Sequence, residues 1–298
     1  MPGNAFSTSQ VVRKNNIDCR FSKVLKTIER DKYLYIMFIL PLAYYIIFHY
    51  LPLYGVTLAF KEFNIMKGIM GSEWIGTRYL KQFLTDPYFW QVFRNTLVIN
   101  VYNLFWYFPV PVILALLINE LYNVKFKRLV QSITYLPHFI SVVVVCGMLI
   151  GFLSTGGIVN RLLGIVGLGP YQFLTQPQFF RTIYIASNIW QGAGWSSIIY
   201  LASLSNIDIQ LYEAATIDGA NRWQQVKNVT IPGILPTISI MFILETGRIM
   251  DVAFQKILLL YNGSNMEVSD VISTYVYRRG ILGADFSYST GVGLFQSL

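Results

Sequence analysis

Long apolar runs constrain this chain more than any other feature. A transmembrane helix needs about 20 mostly apolar residues. The first such run is "YLYIMFILPLAYYIIFHYLPLYG", Tyr33 to Gly55. Others follow at about Asn95–Ile118, Leu129–Leu153, Thr182–Leu204 and Gly233–Leu260. The first run is too long for a signal-peptide core and lacks a small-residue cleavage site, so it reads as retained. A further run begins near Ser289 and reaches only Leu298, about ten residues on, too short to span, so the last helix is expected to be incomplete here. The expected fold is therefore all-α and polytopic, with about six transmembrane helices embedded in lipid. Composition agrees: 54% of residues are hydrophobic and only 13% charged, where soluble domains carry roughly 25% charged residues. The mean hydropathy is +0.48.

The net charge of +8 does not form a basic patch suited to nucleic acid. Its bases gather before and between the apolar runs, where membrane orientation signals lie. Arg13, Lys14, Arg20, Lys23, Lys26, Arg30 and Lys32 fill a leader, and Lys125, Lys127 and Arg128 fill the short loop between the second and third runs. Both fall on one side if the N-terminus is cytoplasmic. Residues 1–32 then form a cytoplasmic leader and 33–298 the membrane domain, with the loops at about 54–94, 154–181 and 261–288 external. Cys19 and Cys146 lie in a basic leader and an apolar run, which argues against a disulfide or a metal site between them.

One segment breaks the apolar pattern. "LYEAATIDGANRWQQVKNVTIPGILPT", Leu211 to Thr237, sits between two apolar runs yet carries acids, bases and amides. Leu211, Ala214, Ala215 and Asp218 follow helical spacing. Gly219 permits a sharp turn that a Cβ would hinder. Asn221–Asn228 resumes as a second helix with Trp223 and Val226 on one face, and Pro232 and Pro236 lead into the fifth run. The result is a bent, soluble elbow over about 206–232. On composition alone an ordinary amphipathic interfacial loop fits equally well.

The spacing of this elbow resembles the membrane subunits of binding-protein-dependent ABC importers. Their pattern is Glu-Ala-Ala, three residues, Gly, nine residues, Ile, one residue, Leu-Pro. This chain has Glu213-Ala214-Ala215, then Gly219, then Val229, then Ile231-Pro232, with Val for Ile and Ile for Leu. The flanks "YEAATIDGANRWQQ" and "VTIPGILPT" resemble the carbohydrate branch. "SDVISTYVYRRGI", Ser269 to Ile281, and the following "FSYSTGVGLFQS" resemble permeases for complex oligosaccharides.

The resemblance implies a multi-pass subunit of the bacterial cytoplasmic (inner) membrane. Its elbow would be a coupling helix that docks on a cytoplasmic ATPase, with Glu213, Ala214, Ala215, Asp218, Gly219 and Pro232 as the coupling residues. Glu213 would pair with the partner, and Gly219 would let the two arms cross closely. The partners implied are a second permease subunit in a heterodimer, two ATPase subunits that hold ATP and Mg²⁺, and an extracytoplasmic solute-binding protein that delivers an oligosaccharide.

The resemblance does not fix the solute contacts, but polar residues inside membrane helices are functional candidates. In the fifth run Glu245, Arg248 and Asp251 recur every three residues on one helix face. They are either a self-neutralising ion-pair ladder or the lining of an aqueous pathway. In the fourth run Asn188, Gln191 and Trp195 share a face, suited either to sugar hydroxyls and a sugar ring or to helix–helix packing. His49 and His138 are lone and read as structural.

No catalytic constellation appears. There is no GxxxxGK[ST] phosphate loop, so ATP hydrolysis is not expected on this chain, and no HExxH or CxxC pattern, so no metal and no cofactor are expected. Gly167-Leu168-Gly169 lacks the strand and helix of a nucleotide loop. The alternative function is a secondary transporter driven by an ion gradient, and a membrane enzyme is a third. The first lacks the internal repeat such transporters show, and the second lacks a cluster of acids or metal ligands.

Overall fold

The computed structural model describes residues 30–297, so the leader up to Ile28 and Glu29, with Cys19, lies outside the described residues. The fold is all-α. Among the described residues the one strand pairing is a two-residue antiparallel match of Lys61–Glu62 with Glu73–Trp74. Among the described residues, four helical stretches are long and apolar enough to cross a membrane: Lys32–Phe60, Phe89–Asn119, Val142–Ile165, which is interrupted between Leu153 and Ile158, and Arg222–Thr246. The helix Pro177–Leu204 adds 28 residues, and Phe286–Ser297 adds 12. The described residues divide into two units, with the boundary between Leu58 and Ala59.

In the first unit, Lys32–Tyr45 has no buried residue. A helix apolar on every side is stable only against lipid or another apolar surface.

Three of the long helices share one local device. A π turn ends two residues before a proline: Ile46–Tyr50 before Pro52, Asn103–Tyr107 before Pro109, and Val226–Thr230 before Pro232. Proline has no N–H, and its ring collides with the carbonyl four residues back. In each case the residue just before the proline donates instead to the carbonyl five back: Leu51 to Ile46, Phe108 to Asn103, Ile231 to Val226. The wider turn tilts the obstructing carbonyl aside, so the helix continues through the proline. The elbow's second arm therefore does not stop at Pro232. It is continuous with the membrane helix as Arg222–Thr246.

Two expected runs are broken. The Leu129–Leu153 run is not one helix. Val124–Tyr135 ends in a 3₁₀ turn at Leu136–Phe139, and Ile140 is extended. Pro137 forces the stop, and Ser141 restarts the chain as Val142–Leu153 by accepting from the Val144 N–H at 3.4 Å. The Gly233–Leu260 run ends at Thr246, turns through Gly247–Met250, and resumes only at Phe254–Leu260. Glu245, Arg248 and Asp251 therefore do not share a helix face, and none of them enters an ion pair among the described residues. The ladder is not formed, because the helix stops before Gly247, which bears the backbone-entropy cost of helix, and Asp251 competes with the backbone for hydrogen bonds.

The second unit packs through three apolar clusters set one after another along Phe89–Asn119. Phe89 and Val92 join Phe83, Ile272, Tyr275 and Tyr288. Ile99 joins Cys146, Phe180, Tyr184 and Ile257. Ala115 joins Tyr200, Leu204 and Ile234. The long helix Pro177–Leu204 contributes to the last two. It approaches the Val124–Tyr135 helix closely at Gly194, where an added Cβ would collide with the Thr134 carbonyl.

The three loops expected to be external pack on one another. Asn262 and Asn265 donate to the Leu174 carbonyl at 2.8 and 3.0 Å, and the Phe63 N–H donates to Ser287 Oγ at 2.9 Å. Asp270, fully buried, is the hub. It accepts from Tyr88 at 2.8 Å, Thr274 at 2.7 Å and Arg278 at 2.6 Å. The "SDVISTYVYRRGI" segment thus works as a clasp that holds residues 269–281 against the start of the Phe89 helix.

Candidate functional site

Three of the interruptions in the helices face the same place. A cavity of about 980 Å³ is lined by the π turn at Asn103 and Tyr107, by the break at His138–Ser141, and by the opened segment from Glu245 to Lys256. The unbroken helix Pro177–Leu204 supplies the remaining wall through Tyr184, Asn188, Gln191 and Ser196. Non-helical backbone at membrane depth is tolerated where it is enclosed by protein or lines a water-filled cavity. The breaks and the cavity are therefore one feature.

The polar side chains on this wall are tied to each other. Gln191 donates to the Ile140 carbonyl at 3.0 Å, satisfying a backbone group freed by the break. Asn188 donates to Asn103 at 3.3 Å and accepts from Lys256 at 2.7 Å. The Tyr107 and Ser196 hydroxyls meet at 2.9 Å. Five of the residues singled out from sequence, Asn188, Gln191, Glu245, Arg248 and Asp251, come together here. Trp195 does not line the cavity. Its ring stacks on His138 with centroids 4.7 Å apart and planes within 2°, and His138 is the one that lines the wall.

Asn103, Tyr107, Tyr184 and Lys256 also line the cavity and did not stand out in the sequence. The first three sit in aromatic, helix-compatible stretches that give no signal. Lys256 gave one, as a lone base inside "FQKILLL", but it lacks the regular spacing that marked its neighbours.

The elbow is a second candidate site. Asp208 caps its first helix, Ile209–Ile217, by accepting from the Gln210 N–H at 2.9 Å. That helix ends in a Schellman motif: Ala220 N–H donates to Ala215 and Gly219 N–H to Thr216. Gly219 adopts φ +78°. A Cβ there would meet nothing within 4 Å, so the glycine serves the turn and not a close crossing of the two arms. Asn221 and Gln224 then form a reciprocal capping box at 3.0 and 2.7 Å.

The arms are braced by Gln225 to Thr216 at 3.0 Å and Tyr212 to Thr230 at 3.0 Å. Arg222 anchors the elbow to the loop after the second span, pairing with Glu120 at 3.1 Å and lying 4.5 Å from the Tyr122 ring. Glu213, Ala214, Asp218, Gly219 and Pro232 are exposed, and Ala215 is half-buried. Neither Glu213 nor Asp218 enters an ion pair among the described residues. Beside them Ile209, Ile217 and Trp223 are exposed at 72%, 86% and 73%, a large apolar surface for a segment this polar.

A bundle of broken membrane helices around a polar cavity, with a rigid elbow at one end, defines a membrane transport subunit. The chain belongs to the family described as the binding-protein-dependent transport system inner membrane component, which it matches over residues 89–295. It is 41% identical over 276 residues to the polygalacturonan/rhamnogalacturonan transport system permease protein YteP of Bacillus subtilis (strain 168), across 92% of this chain and 86% of that protein. It superposes with a TM-score of 0.86 and 42% identity on a chain of a bacterial ABC transporter involved in the import of the acidic polysaccharide alginate, covering 92% of this chain and 93% of that one. A second structure, of the alginate transporter in complex with an alginate pentasaccharide-bound periplasmic protein, gives a TM-score of 0.84 and 42% identity over 91% of each chain.

Proposed function

We propose that this chain is one membrane subunit of an ATP-driven importer for an oligosaccharide, which an external binding protein delivers and the cavity passes inward. The observation that carries this reading is the convergence of three helix breaks on one amide- and hydroxyl-lined cavity of about 980 Å³. That volume stands at the upper end of ordinary ligand sites. Amides and hydroxyls both donate and accept, which matches the two-way hydrogen bonding of sugar hydroxyls. The relatives named for polygalacturonan, rhamnogalacturonan and alginate transport support a sugar polymer fragment as the solute.

The drive comes from outside the chain. The elbow docks on a cytoplasmic ATPase through Glu213, Asp218 and its exposed apolar residues. The braces between its arms transmit that ATPase's closure to the continuous Arg222–Thr246 helix. The elbow's side is cytoplasmic, as is the N-terminus, and a second permease subunit completes the pathway. An ion-gradient transporter would also show broken helices, but it gives the elbow no role.

The test is uptake into proteoliposomes that hold this chain with its partner permease, two ATPases and binding protein. Oligosaccharide uptake should require ATP hydrolysis and the binding protein, and the chain alone should bind no MgATP. Uptake driven by an ion gradient without ATP would overturn the proposal.

A further inference from the structure

One charge in the cavity wall is unlike the others. Lys256 is 3% exposed, whereas Arg248 and Asp251 are exposed and Glu245 is half-buried. Exposed charges keep their hydration. A buried ammonium gives up most of it and needs compensation from charge or from several acceptors. Lys256 has little. Its Nζ donates to one neutral acceptor, Asn188 Oδ1, at 2.7 Å. No carboxylate lies within 4.0 Å of it among the described residues. An ammonium carries three donors, and a neutral amide leaves its charge unbalanced.

A second donor lines the same cavity. The Tyr184 hydroxyl is buried and makes no hydrogen bond among the described residues. Tyr184 precedes Asn188 by one helical turn and shares its face, and both line the cavity with Lys256. Asn188 is held in place by Asn103 on its other side. The wall thus presents a dehydrated cation, an idle hydroxyl and a fixed amide.

We infer that Lys256 and Tyr184 form an anion subsite in the translocation cavity that takes the carboxylate of a uronic-acid-type sugar unit. This inference rests on the oligosaccharide reading above. A carboxylate accepts from both donors and supplies the charge that Lys256 lacks. Low local polarity strengthens that attraction relative to the exposed Arg248. Glu245 and Asp251 share the cavity and disfavour an anion near themselves.

The experiment compares two oligosaccharides of equal length in the complete reconstituted importer: one with uronic acid units, the other with its carboxyls reduced to alcohols. Wild type should take up the acidic probe at least as well as the reduced one. Lys256→Gln, which can keep a hydrogen bond to Asn188, should lower kcat/KM for the acidic probe at least tenfold and for the reduced probe less than twofold. Lys256→Arg should stay within threefold of wild type on the acidic probe. Tyr184→Phe removes one oxygen without changing shape, and should cost the acidic probe about threefold if Lys256→Gln fails to assemble.

Equal losses on both probes, or unchanged acidic uptake in Lys256→Gln or in an assembled Tyr184→Phe complex, would overturn the subsite. Uptake of neither probe by wild type would overturn the oligosaccharide reading itself, and the subsite with it.

Discussion

Asp270 shows how a single side chain can close a region of packed loops. Fully buried, it takes three hydrogen bonds, and Arg278 supplies the opposite charge at 28% side-chain exposure. Breaking such a buried pair is costly because the survivor is left charged without a partner. The hub also shapes its neighbour. Burial first, and then the hydrogen bond to Asp270, pushes the Tyr88 phenol from the ordinary value near 10 up to about 12. The folded state thus favours protonated Tyr88. Its contribution is complete below about pH 10 and is lost as pH rises through about 12. In an alkaline stability series on the purified complex, wild type should lose stability between pH 10 and 12 relative to Tyr88→Phe. The difference should stay flat from pH 7 to 9.5. A constant difference across the whole range would show that Tyr88 does not titrate against Asp270.

At the scale of elements, the π turns and the elbow solve related problems. The prolines would break three long helices, and the preceding π turns let each helix bend and continue. At Asn103–Tyr107 that bend also turns Asn103 and Tyr107 into the cavity. At Val226–Thr230 it joins the elbow's second arm to a membrane helix without a hinge. The elbow's stiffness then depends on the turn at Gly219 more than on its surface pair. Arg222 with Glu120 is an exposed ion pair, of a kind worth about 0–1 kcal/mol. A β-branched residue at φ +78° is strained whatever the space around it. Gly219→Val should therefore cut transport at least tenfold while membrane insertion persists, and Arg222→Ala should cut it less than threefold. Paired measurements of uptake and of substrate-stimulated ATPase decide this. Normal coupling in Gly219→Val would remove the elbow's role as a lever.

For the whole molecule, the alternation of spans puts the packed loops around Asp270 and the elbow at opposite ends. The Phe89–Asn119 helix connects them, running from the Phe83 cluster to the Ala115 cluster. With the native cysteines replaced, an impermeant thiol reagent applied to intact cells should reach a reporter at Gln178 and miss one at Asn221. Labelling of Asn221 alone would invert the topology and deny the elbow its ATPase.

The sequence by itself determined the all-α membrane class, because apolar runs of bilayer length leave the backbone few other options. It also determined the elbow, because caps and turns are local. Asp208, Gly219, Asn221 and Gln224 do their work within a few residues of themselves, so their spacing carries the geometry. It located part of the polar wall, Asn188, Gln191, Glu245, Arg248 and Asp251, for the same reason that made those residues conspicuous: a charge or amide in an apolar run is costly unless it faces protein or water.

Tertiary structure alone decided the rest. Whether Pro137 would end a helix while Pro109 and Pro232 would be carried through depended on π turns and on neighbours able to satisfy the freed carbonyls. Gln191 on Ile140 is such a neighbour, 51 residues away. Lys256 is distinguished by what it lacks, a carboxylate within reach, and its one acceptor lies 68 residues away. Trp195 was turned from the pathway to His138 by packing across separate helices. Such contacts join residues far apart in the chain, and their energies arise only once the helices meet.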